Sequence, residues 1–320
     1  MNDLLENKTI EDEMIPVMNR FLSFIPGISK SLAVPVVYAE NLTKKEFIEK
    51  WVSRNKPCLV KNAVLHWPAV QKWKHQEYWL SQCDNFDINV YPHQNFNTHE
   101  RQDAGKEVMP FHKAIERLFS DNEDTVSLPA EHITENGRFA KIKADMPGFT
   151  FLPETENPRY YQRMRFFSYR RAATGWHYHG IDETLMCQVN GTKRVALLSP
   201  EIPKPAYITK YLNQENYLNN EPFNVQHDIN PYLVDVEEGD ALYIPPYWHH
   251  VVVPVDGKVG FTVAFCWKSP LHILGDFSNY FVRALYKQGM WPLNINTFFM
   301  PLLGCYAGTS HLIRKLSRRV

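Results

Sequence analysis

From about residue 160 onward, apolar residues come in short runs separated by turn residues, and this pattern predicts β-structure. The strand-like runs are Arg165–Tyr169, Leu185–Val189, Thr192–Leu198, Val234–Val236, Ala241–Ile244, His250–Val253 and Val259–Trp267. Short strands at this spacing indicate a barrel or a sandwich. Asn190-Gly191 between two of the runs predicts a hairpin, because such a turn takes positive φ. The Pro245-Pro246 pair ends the run before it and starts a turn.

The first half reads as mixed. Ile10, Met14, Val17, Met18, Phe21 and Ile25 recur at helical spacing, and Pro26-Gly27 stops that helix. Val34–Tyr38 is a short strand. Asn41 or Thr43 can cap a helix that turns Phe47, Ile48 and Trp51 inward. Pro57–Lys61 is a buried-type strand. Trp67, Trp73 and Trp79 precede a helix end near Cys83 and read as core, and Ile88–Tyr91 is a further strand. Residues 93–106 and 200–230 read as loops and, being long, as carriers of specificity. Residues 271–289 turn helical, with Ile273, Phe277, Phe281 and Leu285 in a stripe that serves either a second subunit or the chain's own barrel. The expected divisions are a helical extension at 1–30, a main domain at 31–270 with its barrel core at about 160–270, and a helical segment at 271–320.

Composition narrows the class. Lys+Arg and Asp+Glu both number 35 in 320 residues, so no basic excess argues for nucleic-acid binding by counterion release. No apolar run reaches the roughly 18 residues of a membrane span. The 5 cysteines are widely spaced and lack a CxxC pair, which suits reduced core residues in a cytoplasmic protein.

The chemistry is concentrated in two stretches. Thr174-Gly-Trp-His177-Tyr-His179-Gly-Ile-Asp182-Glu183 gathers two histidines and two carboxylates, and Gly239-Asp240 leads through Pro245 and Trp248 to His249 and His250. Imidazole and carboxylate ligands delivered from two separate strands are what a non-haem iron site needs. Alternate strand residues share a face, so His177 and His179 project together, and a bulge at Gly180 would re-aim Asp182 or Glu183 to join them. His249 then points away from His250.

These motifs resemble the cupin superfamily and, within it, the JmjC-like oxygenases, over roughly residues 30–270. Thr174 stands before His177 as a co-substrate threonine does in several hydroxylases of that group. Gln188-Val-Asn-Gly-Thr-Lys193-Arg194 resembles their Q-x-x-G-x-K-R motif, and Gly239-Asp240 with Ile244-Pro245 and His250 their second motif. Asn55-Lys56-Pro57, His66–Ala69 and Phe265–Lys268 also match in order. The fold implied is mainly β, a double-stranded β-helix (jelly-roll cupin) barrel with flanking N- and C-terminal α-helices. One departure stands out: where the group has His-x-Asp or His-x-Glu, this chain has His179.

Three ligand sets stay open: His177, Asp182 and His250; His177, His179, Glu183 and His250; or the three histidines alone. Six-coordinate iron accepts three protein ligands, two atoms of 2-oxoglutarate and oxygen, whereas four protein ligands leave no room. The resemblance implies an Fe(2+)- and 2-oxoglutarate-dependent oxygenase that hydroxylates a C–H bond of a protein or small-molecule substrate, with Thr174 and Lys193 holding the co-substrate. Lys193 and Arg194 alternate in facing, so only one enters the barrel. The alternatives are a metal cupin that does not use 2-oxoglutarate (an oxidase, dioxygenase or isomerase) and a non-catalytic metal-binding barrel. The expected partner is the hydroxylation substrate, with homodimerisation through the C-terminal helix a further expectation.

Overall fold

The computed structural model describes residues 30–92, 105–120, 125–202, 230–290 and 296–317. The helix expected at 10–25 lies outside the described residues, as do almost all of the loops expected at 93–106 and 200–230. The strands are β1 (Leu32–Ala33), β2 (Val36–Tyr38), β3 (Cys58–Lys61), β4 (Asp87–Val90), β5 (Glu107–Pro110), β6 (Val126–His132) and β7 (Met164–Arg170). They continue as β8 (Thr174–His177), β9 (Asp182–Asn190), β10 (Lys193–Leu198), β11 (Tyr232–Val236), β12 (Ala241–Ile244), β13 (His249–Pro254) and β14 (Val259–Lys268). The α-helices are α1 (Lys44–Lys50), α2 (Pro68–Lys72), α3 (Gln76–Gln82), α4 (Phe111–Phe119), α5 (Tyr280–Met290) and α6 (Asn296–Leu316).

Two sheets make the barrel. One runs in the order β1-β11-β10-β13-β8, the other β2-β3-β12-β9-β14-β7-β6. From β8 to β14 the chain crosses between them at each step except β10 to β11, which pair within one sheet, as a double-stranded β-helix allows. This corrects one expectation. β9 and β10 do not form a hairpin, because β9 pairs with β12 and β14 while β10 pairs with β11 and β13. Gly191, at φ +77°, turns the corner between sheets instead. Asn190 ends β9 buried, its side-chain amide donating to the Val70 carbonyl at 2.8 Å, so it is anchored and does not sit in an exposed turn.

Period-two alternation divides each strand between two cores. Inward residues of both sheets, including Met186, Val195, Leu197, Leu242, Ile244 and Val252, pack together inside the barrel. Outward residues of the larger sheet, including Leu185, Cys187, Val189, Phe261 and Val263, meet the N-terminal helices across a core holding Trp67, Trp73 and Trp79. Trp79 stacks on Phe261 with centroids 4.8 Å apart. The three tryptophans are core, as their sequence context suggested. Thr43 caps α1, its hydroxyl accepting from the Glu46 N–H at 3.1 Å. The helix α4 buries Phe111, Ala114, Ile115 and Leu118, an i, i+3, i+4, i+7 stripe.

At the C-terminus, Phe281 of α5 is buried against the barrel, with its ring 6.1 Å from Tyr247 and 5.4 Å from His249. Phe277 is exposed, and so are Phe299, Leu302, Tyr306, Leu312, Ile313 and Leu316 along α6. No helix among the described residues is long and apolar enough to cross a membrane. Four of the cysteines are buried, Cys305 is exposed, and all five are free.

One outward position on β9 carries a charge-capable group. Glu183 is fully buried, and its Oε2 accepts from the Tyr243 hydroxyl at 2.5 Å. Tyr243 in turn packs edge-on against Phe47 of α1 and stacks on Trp267. Burial pushes the Glu183 carboxyl up to about 8. An unfolded glutamate titrates near ~4.3, so between those values the folded chain holds a proton that the unfolded chain lacks. Stability from this group is full below the lower value and falls as pH rises towards 8. Glu183→Gln keeps an acceptor for Tyr243 and cannot ionise. Thermal unfolding at a series of pH values should show wild type losing more stability than Glu183→Gln between pH 5 and 8. Parallel curves would count against a proton on Glu183.

Candidate metal centre

The barrel builds one cluster of ligating side chains. His250 on β13 lies opposite His177 on β8 in the antiparallel register, so both point inward at the same level. The strand β8 ends at His177, and His179 follows in the connection to β9. Its ring joins the others by a route different from simple strand alternation. The His179 carbonyl accepts from the Tyr247 N–H at 2.7 Å, and its Nδ1 lies 2.8 Å from Thr184 Oγ1. Tyr247 adopts φ +67° in the turn after Pro245-Pro246. That turn fastens the loop bearing His179 to the strand bearing His250.

Ring centroids are 4.1 Å apart for His177 and His250, 4.9 Å for His179 and His250, and 5.3 Å for His177 and His179. One nitrogen from each ring lies within 4.8 Å of the other two, and among the described residues no other set of three histidines, cysteines or acids does this. His177 Nδ1 is 2.9 Å from the Gly175 carbonyl and His250 Nδ1 is 3.0 Å from the Trp248 carbonyl. A carbonyl only accepts, so both Nδ1 atoms carry the proton and each Nε2 keeps its lone pair for a metal. Burial, then the neighbouring histidines, hold His179 and His250 well below the usual imidazole range. Both are therefore in the neutral, ligating form.

The two acids named from the sequence do not join this cluster. The Asp182 carboxylate accepts backbone N–H groups of Arg159 and Tyr160 at 2.7 Å each and of Tyr161 at 3.1 Å. Its lone pairs are committed to ordering that segment. Glu183 is the next residue along β9 and faces the opposite side, under α1. The expected bulge at Gly180 is absent: the strand breaks after His177 and resumes at Asp182. His249 faces outward, its ring 4.8 Å from that of Tyr178, with burial lowering its pKa to about 3.

Lys193 and Thr174 line the barrel beyond the histidines. Lys193 of β10 is opposite Pro254 of β13, and Thr174 of β8 is opposite Val252. Along β13 the order is therefore His250, Val252 beside Thr174, then Pro254 beside Lys193. Four residues of strand span roughly 13 Å. Arg194 faces out, bonded to Asp235 through two contacts of 2.7 Å. Lys193 faces in, buried, with its ammonium 3.8 Å from the centre of the Tyr169 ring. Among the described residues it has no carboxylate partner, and burial lowers its pKa to about 7. The Tyr169 hydroxyl accepts from Gln188 at 2.8 Å, and Gln188 accepts from Thr262 at 2.8 Å, which fixes the floor beneath the lysine.

Sequence reasoning missed four residues near the cluster. Thr184 and Cys266 hold inward positions that the period-two pattern of their strands could have revealed. Tyr161, whose ring is 5.1 Å from that of His179, and Arg165, whose guanidinium lies over the Tyr161 ring at 4.3 Å, gave no motif signal.

Comparison with known proteins agrees with this architecture. The family model of the cupin-like domain matches residues 43–272. A Jumonji C domain-containing protein 5 of Drosophila melanogaster is 23% identical over 253 residues, covering 75% of this chain and 61% of the fly protein. The tRNA wybutosine-synthesizing protein 5 of Homo sapiens is 24% identical over 267 residues, covering 73% of this chain and 78% of its own length. A shorter match, 43% identical over 68 residues, links 20% of this chain to 21% of the human bifunctional peptidase and (3S)-lysyl hydroxylase JMJD7. With a matched domain that takes in all but the first strand of each barrel sheet and all three clustered histidines, the chain belongs to the cupin-like domain family.

Proposed function

We propose that this protein is an Fe(2+)- and 2-oxoglutarate-dependent oxygenase that hydroxylates a C–H bond. The observation that carries the reading is the pairing of two features in one barrel: a cluster of three histidines and, on β10 opposite Pro254 of β13, a buried lysine with no carboxylate partner among the described residues. The donor set suits the metal. Three imidazole nitrogens are ordinary ligands for iron(II), and three protein ligands leave three positions of an octahedron. The family relation and the relative named as a lysyl hydroxylase support the reaction class.

When bound, iron(II) and 2-oxoglutarate supply the oxidising chemistry: oxygen is consumed, the co-substrate becomes succinate and carbon dioxide, and the substrate C–H becomes C–OH. The chain's own residues bind, orient and exclude water. His177, His179 and His250 hold the metal. Lys193 supplies a cation for the far carboxylate of the co-substrate, and Thr174 a hydroxyl beside it. Trp248 and Val252 belong to the apolar lining that keeps water from the site. Asp182 acts through the backbone that it holds, and Thr184 through the His179 ring.

The direct test is turnover. Purified protein with iron(II), ascorbate and 2-oxoglutarate should produce succinate above a metal-free control and should bind 2-oxoglutarate in a calorimeter. Absence of both would end the reading.

The ligand assignment has its own test. Alanine at 177, 179 or 250 should lower bound iron well below one per chain by elemental analysis. Asp182→Asn should retain stoichiometric iron and lose about 1–3 kcal/mol of stability through weakened backbone capping. Iron loss in Asp182→Asn without unfolding would return the carboxylate to the metal.

Lys193 makes a pH-dependent prediction. Its folded value of about 7 lies below the usual 10.5, so between these values the unfolded chain holds the extra proton. The burial penalty is full below the folded value, and stability rises as pH climbs towards the unfolded one. Lys193→Met removes the penalty. The variant should melt above co-substrate-free wild type, with the widest gap below pH 7, and should bind 2-oxoglutarate at least about tenfold more weakly. Equal affinity in the two proteins would remove Lys193 from the co-substrate site.

A further inference from the structure

The inward face of β7 contributes a second cation that the co-substrate reading leaves unused. Arg165 lies opposite Ala264 of β14, and one of its terminal nitrogens is 3.6 Å from Cys266 Sγ. That sulfur is 3.7 Å from Thr184 Oγ1, which is 2.8 Å from His179 Nδ1. The guanidinium is stacked over Tyr161 at 4.3 Å, and the Tyr161 ring is itself 5.1 Å from that of His179. Arg165 is half-buried, and its Nε is buried with no hydrogen-bond partner. Apart from the sulfur, its neighbours among the described residues are the faces of Tyr161 and Phe167, and none of their carboxylates pairs with it.

This arrangement is costly without a ligand. A guanidinium keeps its charge at any ordinary pH and presents five donors, and a partly buried charge without a partner is unfavourable. Loading the site would not relieve it. With three neutral imidazoles, a divalent ion and the two negative charges of 2-oxoglutarate would cancel each other and leave the charge of Arg165 uncompensated. Lys193 takes the far end of the co-substrate from the other sheet, whereas Arg165 approaches the cluster from the His179 side. One planar fork with no second cation beside it suits a carboxylate, which accepts two parallel N–H bonds; a phosphate dianion calls for more donors.

We propose that Arg165 is the anchor for a carboxylate on the substrate, held on the Tyr161 side of the metal centre, so that the protein acts on carboxylate-bearing molecules. The inference rests on the oxygenase reading for what happens next to that carboxylate, but the anion site can be tested without turnover. Tyr161 and Asp182 are its positioning residues: Asp182 orders the backbone at 159–161, and Tyr161 supports the guanidinium.

The experiment uses full-length protein loaded with manganese(II), with acetate as probe and acetamide as its neutral counterpart. Paramagnetic relaxation of the acetate methyl protons reports binding close to the ion, with and without saturating 2-oxoglutarate. Wild type should show saturable relaxation by acetate and none by acetamide. Arg165→Met should weaken acetate binding at least about tenfold, the scale of one charge-assisted pair, while 2-oxoglutarate affinity in a calorimeter stays within about threefold. Arg165→Lys, which keeps the charge and loses the fork, should fall between them and guards against a misfolded methionine variant.

Several results would overturn the assignment. Unchanged acetate relaxation in folded Arg165→Met would mean that acetate sits on the metal itself, and unchanged relaxation in Arg165→Lys would overturn the role given to the planar fork. Absence of saturable relaxation in wild type would mean that no anion site exists. Tighter Arg165-dependent binding of inorganic phosphate than of acetate would replace carboxylate by phosphate. A collapse of 2-oxoglutarate affinity in Arg165→Met as deep as in Lys193→Met would assign the arginine to the co-substrate. If wild type fails to bind 2-oxoglutarate yet acetate still requires Arg165, the anion site stands and the oxygenase reading fails.

Discussion

The contact on which the rest depends is the register between β8 and β13. It sets His177 opposite His250, and every other part of the site is arranged around that pair. The same register places Val252 beside Thr174, and the pairing of β13 with β10 puts Pro254 beside Lys193. A one-residue slip would turn the inward side chains of one strand outward. The tight turn between β12 and β13 guards against such a slip, because its Tyr247 N–H also holds the His179 carbonyl. Backbone hydrogen bonding and ligand placement are thus parts of one construction.

Charge gives the interior its character. The carboxylates nearest the cluster in sequence are removed from it, Asp182 by three backbone N–H groups and Glu183 by its turn towards Tyr243. Among the described residues that face the interior, Lys193 and Arg165 are cations without acidic partners. Such an interior favours anions on electrostatic grounds alone. The two cations lie on opposite sheets, β10 and β7, which separates the anions they attract. This separation connects the proposed co-substrate position with the proposed substrate carboxylate.

Much of the fold was legible in the sequence for local reasons. The inward and outward alternation of β9, β10 and β14 is written in their residues, and so is the cap at Thr43. The Lys193-Arg194 pair had to divide between the two faces. The apolar stripe of α4 was equally open to reading. The Asn190-Gly191 pair misled because a turn signal says that the chain bends. It does not say which strand the next segment pairs with. Gly191 supplies the bend, and the two-sheet topology sends β10 away from β9.

Sequence by itself determined the strand pattern, the two histidine-bearing motifs and the absence of a carboxylate two positions after His177. These follow from residue type and spacing, which tertiary folding does not alter. Only the tertiary structure decided how His179, Asp182 and Glu183 divide. Asp182 and Glu183 are adjacent and chemically alike, yet one captures the backbone of a segment more than twenty residues upstream and the other a tyrosine sixty residues downstream. Such partners meet only after the sheets have closed. Arg165 belongs with them: its significance comes from the absence of a carboxylate partner among the described residues, which no spacing along the chain reveals.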